Sequence, residues 1–183
     1  MTTTLKYFLI ILIASVLFAV VVYFLLSPKS EVETKGAFLF LEPSSQNMKV
    51  EDEFTVNVML DSGKNQVVAV SAFLVFDPSL LELTSIDSSS SAFNKRIKEE
   101  ANNGIIEISR INFAPDSTDL QSVSGSNLLL TKLNFKAKSA GKAVVSFSTS
   151  DNQQSAVLRF DKDNPSLSED ILTETKEGNY IIE

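Results

Sequence analysis

Val67-Val68-Ala69-Val70-Ser71-Ala72-Phe73-Leu74-Val75-Phe76-Asp77-Pro78 is the stretch that decides the fold. The ten residues before Asp77 carry no charge and no turn former, and they are rich in β-branched and aromatic side chains. That composition reads as a strand buried for most of its length. The run is short for a helix, and Asp77 stands before Pro78, which pushes a residue out of the helical region. Alternation places Val70, Ala72, Leu74 and Phe76 on one face and Ala69, Ser71, Phe73 and Val75 on the other. Both faces are largely apolar, so one lines a core and the other is covered by the chain itself or by a partner.

The same signals recur on either side. Gly36 to Leu41 reads as the first strand. In Phe54 to Leu60, Phe54, Val56, Val58 and Leu60 share a face. Leu80 to Ile86 and Ile105 to Phe113 follow, then Asn127 to Lys138, with Leu129, Leu133, Phe135 and Ala137 on one side and Leu128, Leu130 and Lys132 on the other. Ala143 to Phe147, Ala156 to Phe160 and Asn179 to Ile182 complete about nine strands separated by turn signals. That is the pattern of an all-β, antiparallel two-sheet sandwich. Ala92 to Ala101, with Phe93 and Ile97 four apart, reads as one short surface helix. Asn102-Asn103-Gly104 turns the chain after it.

Before the sandwich, Tyr7 to Leu26 is twenty uncharged, overwhelmingly apolar residues, long enough at helical rise to cross a bilayer. No small-x-small step ends it, so a retained membrane anchor is expected rather than a cleaved signal. Lys6 at its start and mixed charges after it favour an inside N-terminus and a domain outside the cytoplasm. The expected organisation is an anchor at 1–28, a linker at 29–35 and a domain at 36–183.

Composition narrows function. The 183 residues include no cysteine and no histidine. This rules out thiol nucleophiles, Cys-ligated zinc and Ser-His catalysis. Net charge is −7, and no basic stripe is present to neutralise phosphates, which argues against nucleic acid as a partner. Asp161-Lys162-Asp163-Asn164-Pro165 opens like a calcium loop but lacks the later glycine and glutamate, so a solvated turn is expected. Glu99-Glu100 and Asp161 with Asp163 form no recognisable catalytic pair. No enzyme, cofactor or metal is expected.

Several segments in order resemble the cohesin domains. Val50-Glu51-Asp52-Glu53-Phe54-Thr55-Val56 is similar to the family's opening, and Val70 to Leu83 is similar to its hydrophobic strand, aromatic-Asp-Pro corner and Leu-Glu-hydrophobic continuation. Ser91-Ala92-Phe93, Asn103-Gly104-Ile105-Ile106, and Leu133 to Lys138 followed by Ala140-Gly141 extend the match almost to the C-terminus. The resemblance implies a jelly-roll sandwich related to a carbohydrate-binding superfamily. It also implies a non-catalytic module whose best-known partner is the dockerin, a small calcium-loaded helical module.

It further implies a binding face on one sheet, with the Asp-Pro strand and the strand matching Asn127 to Lys138 as neighbours. The Asn and Asp that enzyme-recruiting members project from the Asp-Pro strand align with Ala69 and Ser71. The expected partner-binding set is therefore Ala69, Ser71, Phe73, Val75, Leu128, Leu130 and Lys132. Either this face is an open protein-docking surface, or the segment from Asp87 to Asn103 folds over it. The alternatives are a carbohydrate-binding module for a polysaccharide, although the chain has no Trp and the domain's one Tyr is Tyr180, and a structural subunit of an envelope assembly.

Overall fold

The computed structural model describes residues 36–160 and 168–183. The stretch expected to span a membrane and the expected calcium-loop turn lie outside these residues. No helix among the described residues is long and apolar enough to cross a membrane.

Among the described residues thirteen strands run in chain order: β1 (Ala37–Glu42), β2 (Ser45–Met48), β3 (Glu53–Asp61), β4 (Val67–Phe76), β5 (Leu81–Asp87), β6 (Lys95–Asn102), β7 (Ile105–Ile111), β8 (Leu128–Ala137), β9 (Gly141–Phe147), β10 (Ala156–Phe160), β11 (Ser168–Asp170), β12 (Leu172–Lys176) and β13 (Gly178–Ile182). A five-stranded sheet has the order β12-β1-β3-β8-β5. An eight-stranded sheet runs β11-β10-β4-β9-β13-β2, with β7 on β4 and β6 on β7. β4 is its hub: β7 pairs along one edge from Ala69 to Val75, while β10 and β9 share the other.

The core lies between the sheets, as alternation requires. Val70, Ala72 and Leu74 of β4 are fully buried, as are Val56, Val58 and Leu60 of β3. An aromatic chain crosses the layer: Tyr180 to Phe54 at 5.1 Å, Phe54 to Phe135 at 5.7 Å and Phe135 to Phe76 at 5.2 Å between ring centroids. At the end of β4, Asp77 accepts from the Ser79 amide at 2.8 Å and its hydroxyl at 2.6 Å, which fixes the Asp-Pro corner. Those bonds hold the Asp77 carboxyl below the ordinary carboxylate range.

Tyr180 is buried, and its hydroxyl donates to Pro43 O at 2.9 Å. Burial pushes the phenol above its ordinary value. A raised folded-state value gives stability that is present below the unfolded phenol's value of about 10 and lost as pH rises beyond it. Wild type is therefore expected to lose stability between about pH 9 and pH 11 faster than Tyr180→Phe, by thermal unfolding at both pH values. At neutral pH the same variant costs about 1 kcal/mol for the lost hydrogen bond. Parallel pH profiles for the two proteins would refute the assignment.

Three sequence-based expectations are corrected. First, no helix covers Ala92 to Ala101. Lys95–Asn102 is strand β6, because Asn103 and Gly104, with φ of 48° and 79°, form a two-residue hairpin turn that pairs it with β7. Gly104 cannot be replaced freely: a Cβ there would lie 2.4 Å from Phe76 O. Second, β8 lies in the five-stranded sheet and does not pair with β4, so Leu128, Leu130 and Lys132 do not share a face with Phe73 and Val75. Third, a bulge opposite Val58 and Met59 reverses the alternation of β8, so Leu130 is fully buried instead of outward.

Candidate functional site

The outer face of the eight-stranded sheet is built from the second alternation of β4. Ala69, Ser71, Phe73 and Val75 all point there and are half-buried. The register of β7 sets Ile111 opposite Ala69, Ser109 opposite Ser71, Glu107 opposite Phe73 and Ile105 opposite Val75. On the other edge, Ala156 stands opposite Ser71 and Leu158 opposite Ala69. The outcome is a central polar spot flanked by aliphatic and aromatic side chains.

That polar spot is satisfied within the domain. The Ser71 and Ser109 hydroxyls are 2.9 Å apart, and the Phe73 amide donates to Ser155 Oγ at 3.0 Å. At the rim, Lys98 of β6 lies 2.6 Å from Glu107 and 3.6 Å from Glu100. The hydrogen bond to Glu107 raises the Lys98 ammonium above its ordinary value. Among the described residues every buried side-chain nitrogen or oxygen has a partner. No group of three or more His, Cys, Asp or Glu among them is placed to hold a metal.

The segment from Asp87 to Asn103 does not cover this face. β6 joins the sheet beside β7 and widens it. The crossover before it is pinned toward the five-stranded sheet, where the Ala92 amide donates to Leu129 O at 2.8 Å.

Of the expected set, the structure brings together Ala69, Ser71, Phe73 and Val75. It places Leu128, Leu130 and Lys132 on β8 in the other sheet. The neighbours missing from the expectation are Ile105, Glu107, Ser109 and Ile111 of β7 and Leu158 of β10. Their one local signal is the alternation in Ile105 to Ile111, which gives the outward face but not the strand beside it.

The model of the Cohesin domain family matches residues 40–174, most of the chain. The chain belongs to the cohesin domain family. A comparison with curated proteins finds no significant match. Among solved structures, similarity extends to the sixth cohesin of Acetivibrio cellulolyticus scaffoldin B, determined with a mutant dockerin, at 18% identity and a TM-score of 0.59. That alignment covers 81% of this chain and 100% of the other. A Clostridium thermocellum cohesin from a type I cohesin–dockerin complex aligns at 13% identity and a TM-score of 0.58, over 85% and 98% of the two chains. A non-cellulosomal cohesin from the archaeon Archaeoglobus fulgidus aligns at 12% identity and a TM-score of 0.56, over 81% and 91%. At such identities the likeness speaks for the fold. The cohesin face described here is read from its own residues.

Proposed function

We propose that this cohesin is a non-catalytic attachment module that binds a protein partner through the outer face of its eight-stranded sheet. The observation that carries the reading is the half-buried face centred on β4, where Phe73, Val75, Ile105, Ile111 and Leu158 surround the Ser71–Ser109 pair. An apolar centre with a charged rim is the anatomy of a protein interface. Dockerin complexes of similar cohesins make a dockerin-type module the first partner to test. Ala69 and Ser71 offer no charged anchor, so the contact rests on apolar burial, with Lys98 and Glu107 setting orientation at the rim. The apolar run Tyr7 to Leu26 tethers the domain to the cell membrane in a single pass, with the cohesin outside the cytoplasm. Tethering raises the local concentration of whatever is bound.

The test is capture by the full chain in mild detergent from envelope and secreted proteins of the source organism, beside a Phe73→Ser/Ile105→Ser variant with an unchanged unfolding midpoint. Truncating a central apolar anchor is expected to weaken binding by about 2 kcal/mol, roughly thirtyfold. Equal capture by both proteins would sink the sheet-face reading. Leu130 has no place in such a variant, because it is fully buried.

A second reading has one observation in its favour. Phe38 and Phe40 lie together on β1 at 5.5 Å, with Lys176 4.9 Å above Phe38, beside a hollow of about 470 Å³ lined by Phe40, Glu42, Pro43, Ser44, Ser45 and Lys176. An aromatic pair beside polar groups suits a sugar ring. Yet the rings are tilted by 38° and form no flat platform, so the protein partner is favoured. Binding on a polysaccharide array that is lost in Phe40→Ala would reverse that ranking.

A further inference from the structure

Strand β6, Lys95-Arg96-Ile97-Lys98-Glu99-Glu100-Ala101-Asn102, has no apolar alternation to fix its pairing. Strands polar on both sides specify their register weakly. β6 nevertheless takes one register on β7, from Asn102 opposite Ile105 to Lys98 opposite Ser109. A bulge then falls between Arg96 and Lys98, and Arg96 stands directly opposite Arg110. Like charges so placed repel.

Glu99 resolves the conflict. Arg110 turns into the sandwich, where its Nη1 lies 2.5 Å from Glu99 Oε1 and its Nε donates to Phe93 O at 3.1 Å. Ser88 donates to the same Glu99 oxygen, and Arg96 reaches Oε2 from outside at 3.7 Å. Alternation from Glu99 would send Ile97 inward as well, toward the space the Arg110 head occupies. The extra residue of the bulge turns Ile97 out instead. At 63% exposure it is the most exposed large apolar side chain among the described residues.

The neighbouring registers are closed. Glu100 opposite Ile108 would replace the two-residue turn by a three-residue loop, Asn103 to Ile105, and would set Lys98 directly opposite Arg110. Lys98 opposite Ile108 would leave three residues, a workable loop, but would set an ammonium against Arg110.

We propose that the Glu99–Arg110 pair is a register lock for the edge of the recognition face. It holds the bulge open and so presents Ile97, beside Lys95 and Lys98, on the rim where a partner lands. The inference rests on the reading of that face as the interaction surface. A buried ion pair suits this role, since such pairs contribute more dependably to specificity of arrangement than to net stability.

The test compares wild type, Glu99→Gln and Glu99→Leu/Arg110→Met, all as the isotope-labelled full chain in detergent micelles. Three quantities are read: amide exchange by strand, broadening of the Ile97 methyl by a soluble gadolinium chelate, and the unfolding midpoint. In the double variant, which replaces the ion pair by apolar groups, β6 amides exchange about tenfold faster than β4 amides relative to wild type, about 1.4 kcal/mol of local stability. Its Ile97 methyl becomes shielded from the chelate. Glu99→Gln keeps hydrogen bonds to Arg110 and Ser88, and Ile97 stays accessible. Exchange rising by one common factor in β4, β6 and β8 would reduce the pair to a general stabiliser and overturn the lock. An unmoved Ile97 in the double variant overturns it equally. These readouts need no partner. Separately, an Ile97→Ser variant that captures the same partner undiminished would remove Ile97 from the interaction surface while leaving the lock intact.

Discussion

Arg110→Met alone is expected to lower the free energy of unfolding by about 3–5 kcal/mol, measured by denaturant titration of the full chain in detergent. The variant removes a guanidinium whose side chain is 8% exposed and leaves the Glu99 carboxylate, itself 10% exposed, with only the more distant Arg96 at 3.7 Å as counter-ion. It also leaves Phe93 O without the bond from Nε. Unsatisfied buried groups cost their full desolvation, which exceeds what the intact pair contributes. The control is Lys136→Met. Lys136 and Glu51 also approach to 2.5 Å, but they are 33% and 70% exposed. Solvent screens that pair, and its loss is expected to leave the free energy of unfolding nearly unchanged. Two ion pairs of equal length thus separate by burial and by the hydrogen bonds that burial makes costly to lose. If Arg110→Met behaved like Lys136→Met, water would be reaching Glu99 and the buried network would have no special weight.

The organising strand was legible because its information is local. Ten residues of alternation gave both faces of β4, and the fully buried Val70, Ala72 and Leu74 lie where the pattern puts them. Asn103-Gly104 was legible as a turn. A two-residue hairpin turn obliges the residues before it to pair with those after it, and a helix ending there cannot. Ala92 to Ala101 also misled through Phe93 and Ile97, whose spacing matches a helical face. In the structure these two residues have opposite fates, one fully buried and the other 63% exposed. β8 failed for a different reason. A bulge adds one residue and reverses every later side chain, and nothing in Leu128-Leu129-Leu130 marks which leucine is the extra one. The candidate site divides along the same line: Ala69, Ser71, Phe73 and Val75 follow from one strand's period, whereas Ile105, Ser109 and Ile111 follow from a pairing between strands. Edge strands β2 and β12 carry no signal in the sequence because edges face water and need no apolar alternation.

Phe93→Ala is expected to cost about 3–5 kcal/mol and to loosen the crossover from β5 to β6 before the rest of the domain. Phe93 is fully buried in the common core, though the residues on either side of it form no strand. Its backbone is held at both atoms: the amide donates to Ser91 Oγ at 3.2 Å, and the carbonyl accepts from Arg110 Nε. Next to it, the Asn94 amide donates to Asn112 Oδ1 at 3.2 Å and its side chain donates to Phe113 O at 2.8 Å. The ring is therefore the apolar half of a plug whose polar half is the Arg110–Glu99–Ser88 network. Removing it leaves a cavity beneath the polar groups and frees the carbonyl that orients Arg110. Hydrogen exchange at Ala92 to Asn94 and along β6 should rise by more than at β3 or β4. An Ile97→Ala variant, at a side chain 63% exposed, should leave global stability within about 0.5 kcal/mol. Equal losses for Phe93→Ala and Ile97→Ala would contradict the placement of both, and with it the strand assignment of β6. The contrast decides between helix and strand in solution, because a helix over Ala92 to Ala101 would set the two side chains on one face and give them a common environment.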